Sequence, residues 1–141
     1  MAKYNIVERK EKDASYRMQL RPELVDELYD KILVKLIVEK KYRDPDYSAR
    51  QLAQDLGTNT RYVSAVFNLR FQDNYSTLVN DFRIREAAYM LIDQRWADCN
   101  VEDIGLAVGF SNRQSFYAAF YRMKGITPRE YRLQQADKLK K

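Results

Sequence analysis

The sequence predicts an all-α fold: two helix-turn-helix subdomains joined by a long linker helix. Three observations carry that prediction. Apolar residues recur at three- and four-residue spacing in most segments from Pro22 to Arg132. Three prolines and four glycines in 141 residues leave little room for a loop-rich chain. One pattern also occurs twice: Leu52, Leu56 and Gly57 recur 52 residues later as Ile104, Val108 and Gly109. Val63 and Phe67 recur 53 residues later as Phe116 and Phe120, so the extra residue falls inside the second turn.

Residues 1–21 form an N-terminal arm of mixed charge. Tyr16, Met18 and Leu20 alternate, which suits an extended strand-like arm; disorder suits the composition equally. The arm is a terminal extension or a contact arm for a partner. Residues 22–47 hold a lead-in helix and a turn. Leu24, Leu28, Ile32 and Leu36 form one row and Val25, Tyr29, Leu33 and Ile37 the next, a stripe that serves the core or a dimer face. Pro45 breaks the helix that precedes it.

Residues 48–75 are the first helix-turn-helix. Ser48 and Gln51 form a capping box for a short helix carrying Leu52, Ala53 and Leu56. Gly57 turns the chain, and Thr58 or Asn59 caps a second helix bearing Val63, Val66 and Phe67. Residues 76–99 are the linker helix, from Ser76 to about Arg95, with Leu78, Val79, Phe82, Ala87, Met90 and Leu91 directed to both units. Residues 100–132 are the second helix-turn-helix with a further helix. Asn100 caps the first helix, whose stripe is Ile104, Ala107 and Val108, and Gly109 makes the corner. Ser111 with Gln114 forms the expected capping box for the next helix, which aligns Phe116, Ala119, Phe120 and Met123. Gly125 stops it, and Thr127-Pro128-x-Glu130 starts the last helix. Residues 133–141 are a basic tail.

Gly109, Phe110, Phe116, Phe120, Gly125, Thr127, Pro128, Tyr131 and Arg132 stand at fixed spacing. This pattern resembles the second helix-turn-helix of the AraC/XylS family of bacterial transcription regulators, over roughly Tyr42 to Arg132. The resemblance implies a sequence-specific regulator of transcription that binds double-stranded DNA and contacts RNA polymerase or another regulator. Members commonly carry a separate sensor or dimerisation domain, so a homodimer or a sensor partner is a further implication. The family usually has glycine after the first recognition helix; Asn74 stands near that place here and tolerates a left-handed backbone.

Composition narrows the alternatives. The absence of histidine removes His-based metal sites and His acid–base catalysis, and no nucleophile–base pair or Walker loop is evident. No cofactor, metal or enzymatic activity is therefore expected. No apolar run approaches the ~20 residues that span a bilayer, and the single Cys99 suits a reduced, cytosolic setting. The net charge of +5 is uneven: residues 100–141 carry eight basic against four acidic groups, while 48–99 carry six of each. That places the positive excess where a phosphate-facing surface is expected.

Each second helix buries one face, so its opposite face is calculable. The outward positions are Arg61, Ser64, Ala65 and Asn68 in the first unit and Gln114, Tyr117, Ala118 and Tyr121 in the second. Arg61 suits guanine and Gln114 adenine, each through two hydrogen bonds. Arg113 suits guanine or phosphate; Ser64 offers one hydrogen bond; Tyr117, Ala65 and Ala118 suit a thymine methyl. Thr60 and Asn112 lie where backbone N–H groups meet phosphate, and Arg70, Arg122 and Lys124 are phosphate partners by charge. Rival roles stand beside these: Gln114 closing its capping box, Arg70 pairing with an acid, Tyr117 and Tyr121 packing on neighbours. Family members often carry a basic residue where Ala65, Asn68, Ala118 and Tyr121 stand. The uncharged set implies weak or AT-tolerant binding, or else an interaction module that keeps the scaffold without the reading.

Overall fold

The computed structural model describes residues 21–140, with side chains through Lys138. Apart from Arg21, the N-terminal arm lies outside the described residues. Among the described residues seven α-helices follow in order: α1 Pro22–Leu33, α2 Ala49–Asp55, α3 Thr60–Val66, α4 Tyr75–Ile92, α5 Val101–Ala107, α6 Arg113–Lys124 and α7 Pro128–Lys140. Helices α2–α3 and α5–α6 are the two helix-turn-helix pairs, and α4 joins them. Both α1 and α3 run on through a wider π-type turn, Val34–Val38 and Phe67–Phe71. That extension gives the first recognition helix the same reach as α6.

Caps set the helix starts. Ser48 Oγ accepts from the Gln51 N–H at 3.1 Å, Asn59 Oδ1 from Tyr62 at 3.0 Å and Asn100 Oδ1 from Asp103 at 2.8 Å. At the start of α7, Thr127 Oγ1 accepts from the Glu130 N–H and donates to the Glu130 carboxylate, each at 3.1 Å. The expected Ser111 box does not form. Asn112 is the cap of α6, its Oδ1 accepting from Ser115 at 2.8 Å, so the helix begins one residue later. Asn74 is likewise an extended N-cap, for α4, and the left-handed corner falls on Gln72 instead. The helical run through Phe71 sets that corner two residues earlier than the glycine rule suggested. Helix α7 also continues through the segment expected as a basic tail.

Two apolar clusters form the core. The first joins Val25, Leu28, Ile32 and Leu36 of the lead-in helix to Leu52, Val63, Val66, Phe67 and Val79. The second joins Ile84, Ala87, Met90 and Leu91 to Val101, Ile104, Val108, Phe110, Phe116 and Phe120. Helix α4 changes clusters between Val79 and Ile84, which explains why its apolar residues do not keep to one stripe. Of the expected stripes, Ile37, Ala107 and Met123 are exposed. Gly105 replaces Ala107 in the seam of the second unit, because a Cβ there would overlap the Phe116 ring.

The changeover is pinned at Arg83. Its Nε donates to the Tyr42 carbonyl at 2.7 Å, one Nη to the Asp44 carbonyl at 3.2 Å and the other to Asn80 Oδ1 at 3.1 Å. The guanidinium also lies 5.7 Å from the Phe110 ring centroid. Gly109, at φ +117°, lies against the same carbonyl; an added Cβ would collide with Tyr42 O and stand 2.7 Å from Arg83 Nε. A second arginine closes the far end of the linker helix. Arg132 donates to the carbonyls of Leu91, Cys99 and Trp96 at 3.0, 2.7 and 3.2 Å.

Two glycine substitutions separate backbone strain from close approach. Gly57, at φ +69°, has open space at its Cβ position. Gly57→Ala is expected to cost about 1 kcal/mol, the left-handed penalty alone. Gly109→Ala should cost roughly 3 kcal/mol or more, since strain is compounded by a backbone collision. Urea denaturation followed by far-UV circular dichroism measures both; equal costs would rule out the close packing at Tyr42.

Candidate nucleic-acid interface

The sequence-derived positions on α3 divide cleanly. Thr60, Arg61, Ser64 and Asn68 are all exposed, and Arg61, Ser64 and Asn68 follow one another at three- and four-residue spacing along one side. Ala65 is a correction: it is only 6% exposed and belongs to the core cluster that includes Val25 and Leu28 of α1. The lead-in helix, which has no counterpart in the repeat arithmetic, accounts for the difference. Arg70 is exposed but engaged. It pairs with Asp26 and lies 5.9 Å from the Tyr29 ring centroid, tying α3's extension to α1.

On α6, Gln114, Ala118, Tyr121 and Arg122 are exposed. With Asn112 as the cap, Gln114 is not required to close a box with Ser111. Arg113 and Tyr117 are partly diverted. Arg113 Nε lies 3.5 Å from Glu102 Oε1 and its guanidinium carbon 4.9 Å from the Tyr117 ring centroid. The Tyr117 hydroxyl donates to the same Glu102 oxygen at 3.1 Å, and Arg129 approaches it at 4.0 Å. The Glu102 carboxyl is held below the ordinary range, first by its own backbone N–H and then by Tyr117, Arg113 and Arg129. It remains an anion that competes for the cations at the start of α6. Lys124 lies 5.9 Å from the Tyr131 ring centroid and stays exposed.

Two shallow concavities show how the halves meet. One, about 560 Å³, is lined by Ser64 of α3 and by Asn74, Ser76, Asn80 and Arg83 of the linker region. The other, about 330 Å³, is lined by Ser111, Ser115, Ala118 and Arg122, again with Asn80 and Arg83. Asn80 and Arg83 therefore form common ground between α3 and α6, and both recognition helices border one face of α4. Ser76, Asn80, Ser115 and Glu102 were missed from sequence. The signal for the first two is present: with Arg83 they recur at four- and three-residue spacing along one side of the helix. Asn112 as cap was also legible, since the 53-residue offset maps Asn59 onto it. Among the described residues no helix is long and apolar enough to cross a membrane.

The comparisons bear on the fold. A family model described as a helix-turn-helix domain matches residues 52–134. An HTH-type transcriptional regulator of Bacillus subtilis, YtdP, itself uncharacterised, is 31% identical over 85 residues. That match takes 60% of this chain, and the chain spans only 11% of the relative's length. The C-terminal domain of the two-component response regulator yesN from Fusobacterium nucleatum superposes with a TM-score of 0.64 at 25% identity, covering 74% of this chain and 98% of that one. A Chromobacterium violaceum transcriptional regulator with an AraC-type DNA-binding domain gives 0.62 at 25% identity, covering 74% and 91%.

The cap assignment is testable. Asn112→Ala is expected to destabilise by about 1 kcal/mol, within the ~0.5–2 kcal/mol range for such caps. Ser111→Ala should change stability by less than about 0.5 kcal/mol. Chemical denaturation of the two variants distinguishes them, and the reverse order would restore Ser111 as the cap.

Proposed function

Because the chain belongs to the AraC-type helix-turn-helix family, we propose that it is the DNA-reading part of a transcription regulator, laying α3 and α6 into successive major grooves of one duplex. The observation that carries this reading is that both recognition helices border one face of α4, with Arg61 and Gln114 exposed at equivalent positions. The 18 residues of α4 extend about 27 Å at 1.5 Å per residue, and a turn of B-DNA rises ~34 Å. A helix of that length suits grooves on the same side of the duplex.

The roles divide by chemistry. Arg61 presents a planar fork to guanine O6 and N7, and Gln114 an amide to adenine N6 and N7. Ser64, Asn68, Ala118 and Tyr121 flank them with single hydrogen bonds or apolar contact. The capped starts of α3 and α6 leave backbone N–H groups near Thr60 and Asn112 for phosphate. Arg122 and Lys124 supply charge, and Arg113 joins them once it leaves Glu102. Arg70 takes no part. With Asn68, Ala118 and Tyr121 uncharged, phosphate contacts are few, so affinity at physiological salt is low, its salt slope is shallow, and binding gains from a partner, a second copy or RNA polymerase nearby. Activity of a longer regulator, and any signal it senses, would lie in segments that align outside this match.

Selection from random duplex DNA at about 150 mM salt tests the proposal. The expected result is two short enriched blocks about one helical turn apart. Arg61→Ala should relax one block and Gln114→Ala the other, each at a cost of about 1–3 kcal/mol. A single block would restrict reading to one unit; no enrichment would sink the proposal and favour the interaction-module alternative. The Glu102 clamp yields a separate expectation. Glu102→Gln should raise non-specific duplex affinity and steepen the slope of log K against log salt by about 0.9, one added phosphate contact from Arg113. Filter binding across a salt series reads that slope.

A further inference from the structure

The face of α4 turned away from the recognition helices carries an open groove of about 570 Å³. Phe82, Arg85, Glu86 and Tyr89 line it at three- and four-residue spacing. Their mean direction lies about 140° round the helix axis from that of Ser76, Asn80 and Arg83. Tyr42 and Met90 contribute apolar surface, and Trp96 lines the far end. Tyr89 is 77% exposed and Trp96 37%. A large ring left that open on a well-packed helix is the kind of anchor that protein interfaces cover.

The charges around these rings favour one sign. Lys40, Arg43, Arg85 and Arg95 face two acids, Glu86 and Asp93. Both acids are already engaged. Glu86 accepts from Lys40 at 3.2 Å and from Arg43 Nε at 2.9 Å, and Asp93 accepts from Arg95 at 2.7 Å. Burial alone would raise the Glu86 carboxyl, but the Arg43 and Lys40 hydrogen bonds outweigh it and hold it below the ordinary range. With both acids neutralised, the lining keeps an excess of two positive charges beside exposed aromatic surface. An acidic strip with one apolar anchor matches that combination. A nucleic acid strand suits it less, because the two carboxylates interrupt the positive track that a phosphate chain follows.

We propose that this groove docks an acidic segment of a partner protein, its carboxylates on Arg85 and on the Lys40–Arg43 pair that shares the single Glu86, and a leucine or aromatic side chain between Tyr89 and Trp96. Since the groove lies on the far side of α4 from α3 and α6, docking and duplex binding are compatible. Trp96 is the single tryptophan of the chain, so its fluorescence reports on the groove directly.

The test uses the full chain and a displayed library of short random peptides, with the enriched sequences synthesised free of tryptophan. Enrichment of acidic sequences with a leucine or aromatic anchor is expected, together with a saturable shift in Trp96 emission. Tyr89→Ala and Arg85→Glu should each weaken that binding at least about tenfold, and a bound duplex should leave it within about twofold. Both substitutions are at exposed positions, and circular dichroism verifies their folding. No enrichment, enrichment of basic or neutral sequences, or binding indifferent to both substitutions would overturn the proposal. So would a Trp96 response to oligothymidylate that exceeds the response to the selected peptides.

Discussion

The pose of the two helix-turn-helix units hangs on one carbonyl. Tyr42 O receives the Arg83 guanidinium, and Gly109 lies against it where no Cβ is tolerated. Three segments distant in sequence meet there: the lead-in turn, the linker helix and the corner of the second unit. Burial disfavours the charged Arg83, yet two carbonyls and an amide oxygen take its donors. Charge-assisted hydrogen bonds contribute about 1.5–3 kcal/mol each, enough in combination to offset partial burial. Removing the lead-in turn would leave a half-buried guanidinium short of two acceptors. Relative orientation is therefore set by directional bonds at the crossover as well as by apolar contact, which alone has no direction.

That rigidity bears on binding strength. Each unit presents few cations, and several arginines that sequence counts as positive are turned to the protein. Arg70 holds α1, Arg83 and Arg132 hold backbone carbonyls, Arg43 holds Glu86, and Arg113 shares Glu102 with Tyr117. A net charge of +5 thus overstates what a phosphate backbone meets. On the proposed reading, two weak readers held on one face of the linker helix would compensate by another route. Once one is seated, the other meets its groove at high effective concentration, and avidity exceeds either unit's affinity without new contacts.

Local features were legible in the sequence and distant ones were not. The repeat, the caps at Ser48, Asn100 and Thr127, and the positive-φ glycines depend on residues within a few positions of one another. Ser111 failed as a cap although its spacing to Gln114 fits the pattern. Two neighbouring residues competed, and the helix start follows Asn112, the equivalent of Asn59. Gln72, not Asn74, took the left-handed corner because the helix ran on through a π-type turn that no short motif marks. The acid that Arg70 meets and the carbonyls that Arg83 and Arg132 meet lie more than thirty residues away, so little in their neighbourhood distinguishes them from phosphate contacts. Ala65 is the clearest case. Its repeat equivalent Ala118 is exposed, yet Ala65 is buried with the lead-in helix, which packs against the first unit only.

Tyr42 belongs to both faces of the linker helix. Its carbonyl anchors the junction, while its side chain lines the groove, stacked on Phe82 with centroids 5.8 Å apart. Burial, with Glu86 nearby, pushes its phenol up to about 12, so the ring stays neutral under ordinary conditions. A groove occupant could re-pose the recognition helices only by favouring a second arrangement of this junction. Such an arrangement would break the Arg83 bonds and reopen the contact at Gly109. A few kcal/mol of lost charge-assisted bonding is larger than a short acidic segment can supply as a difference between two states. On the two proposals together, the linker helix would act as a spacer with two independent surfaces. A partner on the groove would add its own contacts and leave the phasing of α3 and α6 unchanged.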